Sequence, residues 1–157
     1  MKRKHYNLVI VLFLFLLLWC YIEFVNLLPK SLAIAIVLLK GEVIYIDSIT
    51  FTTTGPIYRQ IIGSDLWGNK RVVWVDKKIA KSVNLNDGIS QGEAIEIAKK
   101  SGINKIETIQ LTYKPYIDDP GLVSPSVPEG VYWYIRGESI SLFIDFFSGS
   151  IVTKYTK

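Results

Sequence analysis

Histidine, cysteine and methionine are nearly missing: the 157 residues hold one of each. The histidine is His5 and the cysteine is Cys20, so the chain from Lys30 onward has neither imidazole nor thiol. That excludes, in this part, Ser-His-Asp and Cys-His catalysis, zinc sites built on histidine or thiolate, and disulfides. There is no Ser-x-x-Lys and no Lys-Thr-Gly, the elements of serine–lysine acyl transfer, and no glycine-rich phosphate loop. A surplus of one charge is also lacking. Three of the 18 Lys and Arg and one of the 14 Asp and Glu precede Lys30, which leaves 15 against 13. With no basic stripe and no interleaved aromatics, nucleic acid is not an expected partner. No cofactor, metal or small-molecule substrate is expected either.

Apolar residues, by contrast, make up half of the chain. The excess is local: Leu8 to Leu28 is apolar apart from Glu23 and Asn26. As a helix this run spans roughly 31 Å, one hydrocarbon thickness. Lys2-Arg3-Lys4 precede it, and the positive-inside rule puts that end in the cytoplasm and the rest outside the cell. Trp19 and Tyr21 suit an outer interface belt, and Glu23 lies at the edge, where its carboxylate reaches water. The rival reading is a cleaved signal peptide, for which Ala33-Ile34-Ala35 has the small-x-small form. It lies far beyond the apolar run, and cleavage there would divide a helix. The expectation is a basic cytoplasmic tip at 1–7 and an uncleaved anchor in the lipid bilayer at 8–28.

The remainder carries an internal echo. A shift of 60 lays Ile46-Asp47-Ser48-Ile49-Thr50-Phe51-Thr52 on Ile106-Glu107-Thr108-Ile109-Gln110-Leu111-Thr112, and Ser31–Lys40 on Gln91–Lys100. Trp74-Val75-Asp76 matches Phe143-Ile144-Asp145 at a shift of 69, and Tyr58 and Gly63 match Tyr132 and Gly137 at 74. The drift means that loops differ in length while strands keep their pattern. Each copy reads as a helix followed by antiparallel strands.

In the second copy, Ser90 and Glu93 form a capping box and Ala94, Ile95, Ile97, Ala98 and Ile103 an apolar face. Glu96 and Lys100 make an i,i+4 pair, and Gly102 stops the helix. Strands are predicted over 105–113, 131–136, 140–147 and 151–155, with one slip of alternation in the first. In the first copy, Ser31–Lys40 is a short helix, apolar nearly all round and so buried, followed by strands over 43–53, 56–63 and 70–76. Gly55-Pro56 and Trp67-Gly68-Asn69 are turns, and Lys77 to Gly88 joins the copies. Copies of about 50 residues need each other for stability.

Ile89-Ser90-x-x-Glu93-Ala94-x-x-x-Ala98, Gly102, Val131-Tyr132-Trp133-Tyr134 and Ile144-Asp145-Phe146-Phe147-Ser148-Gly149-Ser150-Ile151 together resemble the PepSY domain pattern. Tyr58 to Asp76, with Gly63-x-Asp65-x-x-Gly68 and Val72-Val73-Trp74-Val75, resembles the cystatin-like domain of YpmB/TseB-like proteins. Those have a basic tip, a membrane helix, a cystatin-like unit and a PepSY-like unit. The resemblance implies an α+β chain: a transmembrane helix, a cystatin-like unit at 30–80, a linker at 81–88 and a PepSY-like unit at 89–157, each unit a helix on three or four antiparallel strands. It also implies a membrane-anchored extracytoplasmic protein of a Gram-positive bacterium, not an enzyme. Such a protein regulates cell-wall elongation by binding a membrane-anchored penicillin-binding transpeptidase. The alternative it offers is a peptidase inhibitor or modulator at the outer membrane face. The loop Lys114–Gly130, with four prolines, departs from the pattern.

Several features read two ways. Asp118-Asp119-Pro120 is either a turn with solvated charges or a cation site. Asp76 and Asp145 are either turn residues or a carboxylate pair, and Asp65 joins them in a carboxylate-only enzyme. Tyr132 and Tyr134 share the sheet face opposite Trp133, which is either a partner surface or packed within the chain. Tyr113-Lys114-Pro115-Tyr116 with Asp118 is either a partner loop or plain surface. The residues expected at a protein interface are therefore Tyr113, Tyr116, Asp118, Tyr132 and Tyr134.

Overall fold

The computed structural model describes residues 2–52, 57–113 and 127–156, and for 2–11 and 22–29 the backbone alone. Helix α1 (Lys2–Leu39) leads into strands β1 (Tyr45–Phe51), β2 (Arg59–Ser64), β3 (Lys70–Val75) and β4 (Ile79–Asn84). A 3-10 turn (Leu85–Asp87) and helix α2 (Gln91–Lys100) follow. Strands β5 (Ile106–Tyr113), β6 (Val131–Gly137), β7 (Ile140–Asp145) and β8 (Ile151–Thr156) complete the chain. Two four-stranded antiparallel meanders result, β1-β2-β3-β4 and β5-β6-β7-β8. The α+β class with a helix and sheet in each copy is as expected.

Three details differ from the sequence reading. Ser31–Lys40 is not a separate helix: it is the end of α1, which runs unbroken for 38 residues, or about 57 Å. Pro29 costs an interior helix about 3 kcal/mol. Burial of Ala33 and Val37 on the first sheet, with Leu, Ile and Ala on either side, carries the helix through it. The segment 81–88 is not a linker, because Ile79–Asn84 is the fourth strand of the first sheet, with Val83 buried. Lys99, not Lys100, reaches Glu96, at 3.3 Å. The capping box is present, with Ser90 N–H donating to Glu93 Oε2 (2.7 Å) and Glu93 N–H to Ser90 Oγ (3.2 Å). The Ser90 N–H, then the Ser90 side chain, lowers the Glu93 carboxyl from its ordinary value. The side chains of α1 from Leu12 to Tyr21 are exposed. Among the described residues no helix is long and apolar enough to cross a membrane.

The echo extends to the irregularities. The β1–β2 register slips between Ile46 and Ser48, and the β5–β6 register between Ile106 and Thr108. The extra residues are Asp47 and Glu107, paired with Lys70 and Arg136 respectively. The bulge at 107 is the slip of alternation seen in the sequence. A second pair of bulges falls at Trp74/Val75 and Phe143/Ile144. In the helices the true shift is 61, not 60: Ala33 and Val37 correspond to the buried Ala94 and Ala98, and Gly41 to Gly102, both at positive φ. One residue is lost before the strands, so Val43 meets Ile103 at 60.

The copies stack in the same sense. In the first, Ala33 and Val37 pack with Ile61, Val73 and Val75 on one sheet face. In the second, Ala94 and Ala98 lie with Trp133, Ile135 and Ile144. The helix-free face of the first sheet (Val72, Trp74, Val83) enters that same core. The helix-free face of the second carries Tyr132, Tyr134, Phe143 and Tyr155.

Gly63 and Gly137 face Ile46 and Ile106 at the bulges. A Cβ on Gly63 would strike the Tyr45 carbonyl oxygen and Val43, and one on Gly137 would lie 2.8 Å from Ile103 Cγ2 and 2.9 Å from Lys105 O. We expect Gly63→Ala and Gly137→Ala each to destabilise by about 1–3 kcal/mol, as overpacking does. Gly92→Ala, whose nearest atom is 3.8 Å away, should stabilise α2 by about 0.5–1 kcal/mol. Urea unfolding of the three variants checks this.

Candidate functional site

The ends of β5 and β7 and the turn before β6 enclose a cleft of 310 Å³. Tyr113, Glu129, Tyr132, Asp145, Phe147 and Lys81 line it. Tyr113 closes β5. Its ring lies 5.8 Å from Tyr58 and 6.0 Å from Trp74, so it straddles the two copies. Its hydroxyl donates to Glu129 Oε1 at 2.6 Å. That bond, then burial, pushes the phenol up to about 12. Tyr132 is 4% exposed, and its hydroxyl donates to Pro128 O at 2.9 Å. Burial, then the Asp145 charge, raises its phenol as well. Tyr134 is half-buried, its ring 4.9 Å from Phe143. Trp133 faces the other way, and its indole N–H donates to Ile89 O at 3.0 Å. The alternation expected of 132–134 is therefore present. Tyr113 and Tyr132 meet in the cleft, while Tyr134 lies further along the aromatic face. Tyr116 and Asp118 lie outside the described residues, as does Asp118-Asp119-Pro120.

Turns occupy two of the three carboxylates. Asp145 Oδ1 accepts from Phe147 N–H (3.1 Å), Ser148 N–H (2.8 Å) and Ser148 Oγ–H (2.8 Å), which holds the exposed Phe147 ring at the cleft's rim. Asp76 stands exposed at the β3–β4 turn, and its backbone N–H donates to Lys78 O. Asp65 is buried at the β2–β3 turn, where Oδ1 accepts from Trp67 and Asn69 N–H, each at 2.9 Å. Turn hydrogen bonds thus hold the carboxylates of Asp65 and Asp145, while Asp76 enters its turn through its backbone. Among the described residues no group of three His, Cys, Asp or Glu side chains forms a metal cluster.

Sequence reasoning missed Gln60, Lys81, Glu129 and Phe147. Gln60 is buried, and its Nε2 donates to Leu111 O at 2.7 Å, a bond between the copies. Gln110 Nε2 adds a second, to Phe51 O at 3.1 Å. Only the buried setting of Gln60, beside Ile61-Ile62, could have flagged it. Nothing in the sequence points to Glu129.

Two outcomes follow. Glu129→Gln should bring the Tyr113 phenol down from about 12 toward 10. Phenolate absorbance, taken as the difference from Tyr113→Phe, reads this directly. For Asp65, burial raises the carboxyl but hydrogen bonds from Asn69 and Trp67, with the Arg71 charge, outweigh it and hold it below 3.8. Its stabilising contribution is present above that pH and lost as pH falls through the folded-state value. The stability gap between the native chain and Asp65→Asn should therefore shrink on acidification, as urea midpoints across pH would report.

No family model matches this chain, and no curated protein matches it. Among solved structures, the YpmB protein from Bacillus subtilis is similar, with a TM-score of 0.62 and 23% sequence identity over 80% of this chain and 94% of that one. At that identity the likeness is one of fold. The chain has a YpmB-like fold.

Proposed function

We propose that the chain is a single-pass, membrane-anchored extracytoplasmic regulator of cell-wall synthesis, not itself an enzyme, that binds a membrane-anchored penicillin-binding transpeptidase. The observation that carries the reading is the YpmB-like fold, joined to an N-terminal helix whose sequence is apolar over 8–28 behind Lys2-Arg3-Lys4. The resemblance to YpmB/TseB-like proteins supplies the wall-elongation role and the partner class. Physical chemistry supports binding over turnover: from Lys30 onward there is no imidazole or thiol, and Asp65 and Asp145 are spent on turns. An anchored protein meets an anchored partner at high effective concentration, so a modest surface suffices. The cleft of Tyr113, Glu129, Tyr132 and Phe147 is the surface we assign to that contact.

In-cell crosslinking followed by fluorescent-penicillin labelling tests this, because the label marks transpeptidases covalently. Adducts that carry the label, and that are reduced at least severalfold by Phe147→Ala with Glu129→Ala, are expected. Recovery of no labelled adduct from any position on the chain would overturn the partner.

A further inference from the structure

The continuity of α1 fixes where the first sheet stands. Helix α1 ends beside the start of β1, where Ile44 N–H donates to Ser64 O and Glu42 pairs with Arg71. From that end α1 runs back over the sheet face: Val37 and, one turn before it, Ala33 are both buried in the cluster of Val43, Ile61, Val73 and Val75, on which Ile49 and Ile79 also pack. The helix therefore leaves the sheet at the end that carries the β1–β2 and β3–β4 connections, where Phe51 pairs with Arg59 and Val75 with Ile79. From Leu28, the end of the apolar run, to Ala33 is about 7.5 Å of continuous helix, which passes through Pro29.

That end of the sheet has the composition of an interface. Phe51 is 57% exposed and Ile57 78%. The Arg59 guanidinium lies over the Phe51 ring, 5.3 Å from its centroid. Lys77 and Lys78 are exposed in the neighbouring turn, and α1 adds the exposed Lys30. Against Arg59, Lys77 and Lys78, the described residues of the two connections offer one carboxylate, Asp76. Aromatic and aliphatic groups flanked by cations suit the boundary between anionic headgroups and acyl chains.

We propose that this end of the first sheet, presenting Phe51, Ile57, Arg59, Lys77 and Lys78, docks on the anionic lipid surface into which α1 inserts. The inference rests on the anchor reading above and goes beyond it: the sheet lies on the bilayer instead of standing free of it. The β2–β3 turn, with Leu66 and Trp67, then points away from the membrane, because it closes the opposite end of the same sheet.

The test uses the full chain with Cys20→Ser in nanodiscs, of phosphatidylcholine alone or mixed with phosphatidylglycerol. A fluorophore is attached at Asp76→Cys or, for the opposite end, at Trp67→Cys, and headgroup spin-labelled lipid serves as quencher. Strong quenching at 76, greater in the anionic discs, with little at 67, is expected. Lys77→Glu with Lys78→Glu should abolish the extra quenching in anionic discs while the chain still co-elutes with them. Equal quenching at 76 and 67, in a chain that co-elutes, would overturn docking and leave the anchor intact. A chain that does not co-elute with either disc would overturn the anchor and the docking with it.

Discussion

The joint between the two copies is what the fold depends on. A four-stranded meander with one short helix has two faces to cover and one helix to cover them with. Here the uncovered face of the first sheet, with Val72, Trp74 and Val83, becomes part of the core of the second copy. The buried amide of Gln60 crosses the joint to Leu111 O, in surroundings of low dielectric where its loss would leave a carbonyl unmatched. Tyr113 stands on Tyr58 and Trp74 at the same joint, so the cleft beside it takes its shape from both copies. A site built this way is disturbed by anything that loosens the packing between the copies.

Much of the architecture was legible because its signals are local. The capping box at Ser90, the stop at Gly102 and the face alternation at Tyr132-Trp133-Tyr134 each rest on a few neighbouring residues, and each stands as read. The errors have local causes as well. The anchor at 8–28 and the helix Ser31–Lys40 read as separate elements, yet the burial of Ala33 and Val37 carries one helix through Pro29. Lys77-Lys78 and Asn86-Asp87-Gly88 together read as a connection and hid β4, whose Ile79-Ala80-Lys81-Ser82-Val83 has a weak apolar alternation. The helices repeat at 61 and not at the 60 that fits the strands, because the second copy has no counterpart of Glu42 between Gly102 and Ile103.

The cleft was less legible than the fold. Tyr113 reads as part of a polar-aromatic loop and Tyr132 as part of an aromatic sheet face, but what brings them together is the pairing of β5 with β6. Glu129 gains its place only because the chain returns to that pairing after the proline-rich loop. The likeness to the YpmB protein of Bacillus subtilis is one of fold, at 23% identity. Sequence drifts freely where packing asks only for an apolar group of suitable size.

Both copies interrupt their first strand at the same step, and in both the interrupting residue is an acid tied to a base across the sheet. Strands β1 and β5 each end a sheet; Phe51 O and Leu111 O are taken by Gln110 and Gln60, and an edge left uncovered is where another chain could template. A kink carrying a charge spoils that template. Many copies crowded side by side in two dimensions would meet edge to edge far more often than in free solution. The paired bulges then let such a population remain dense without fusing into continuous sheet.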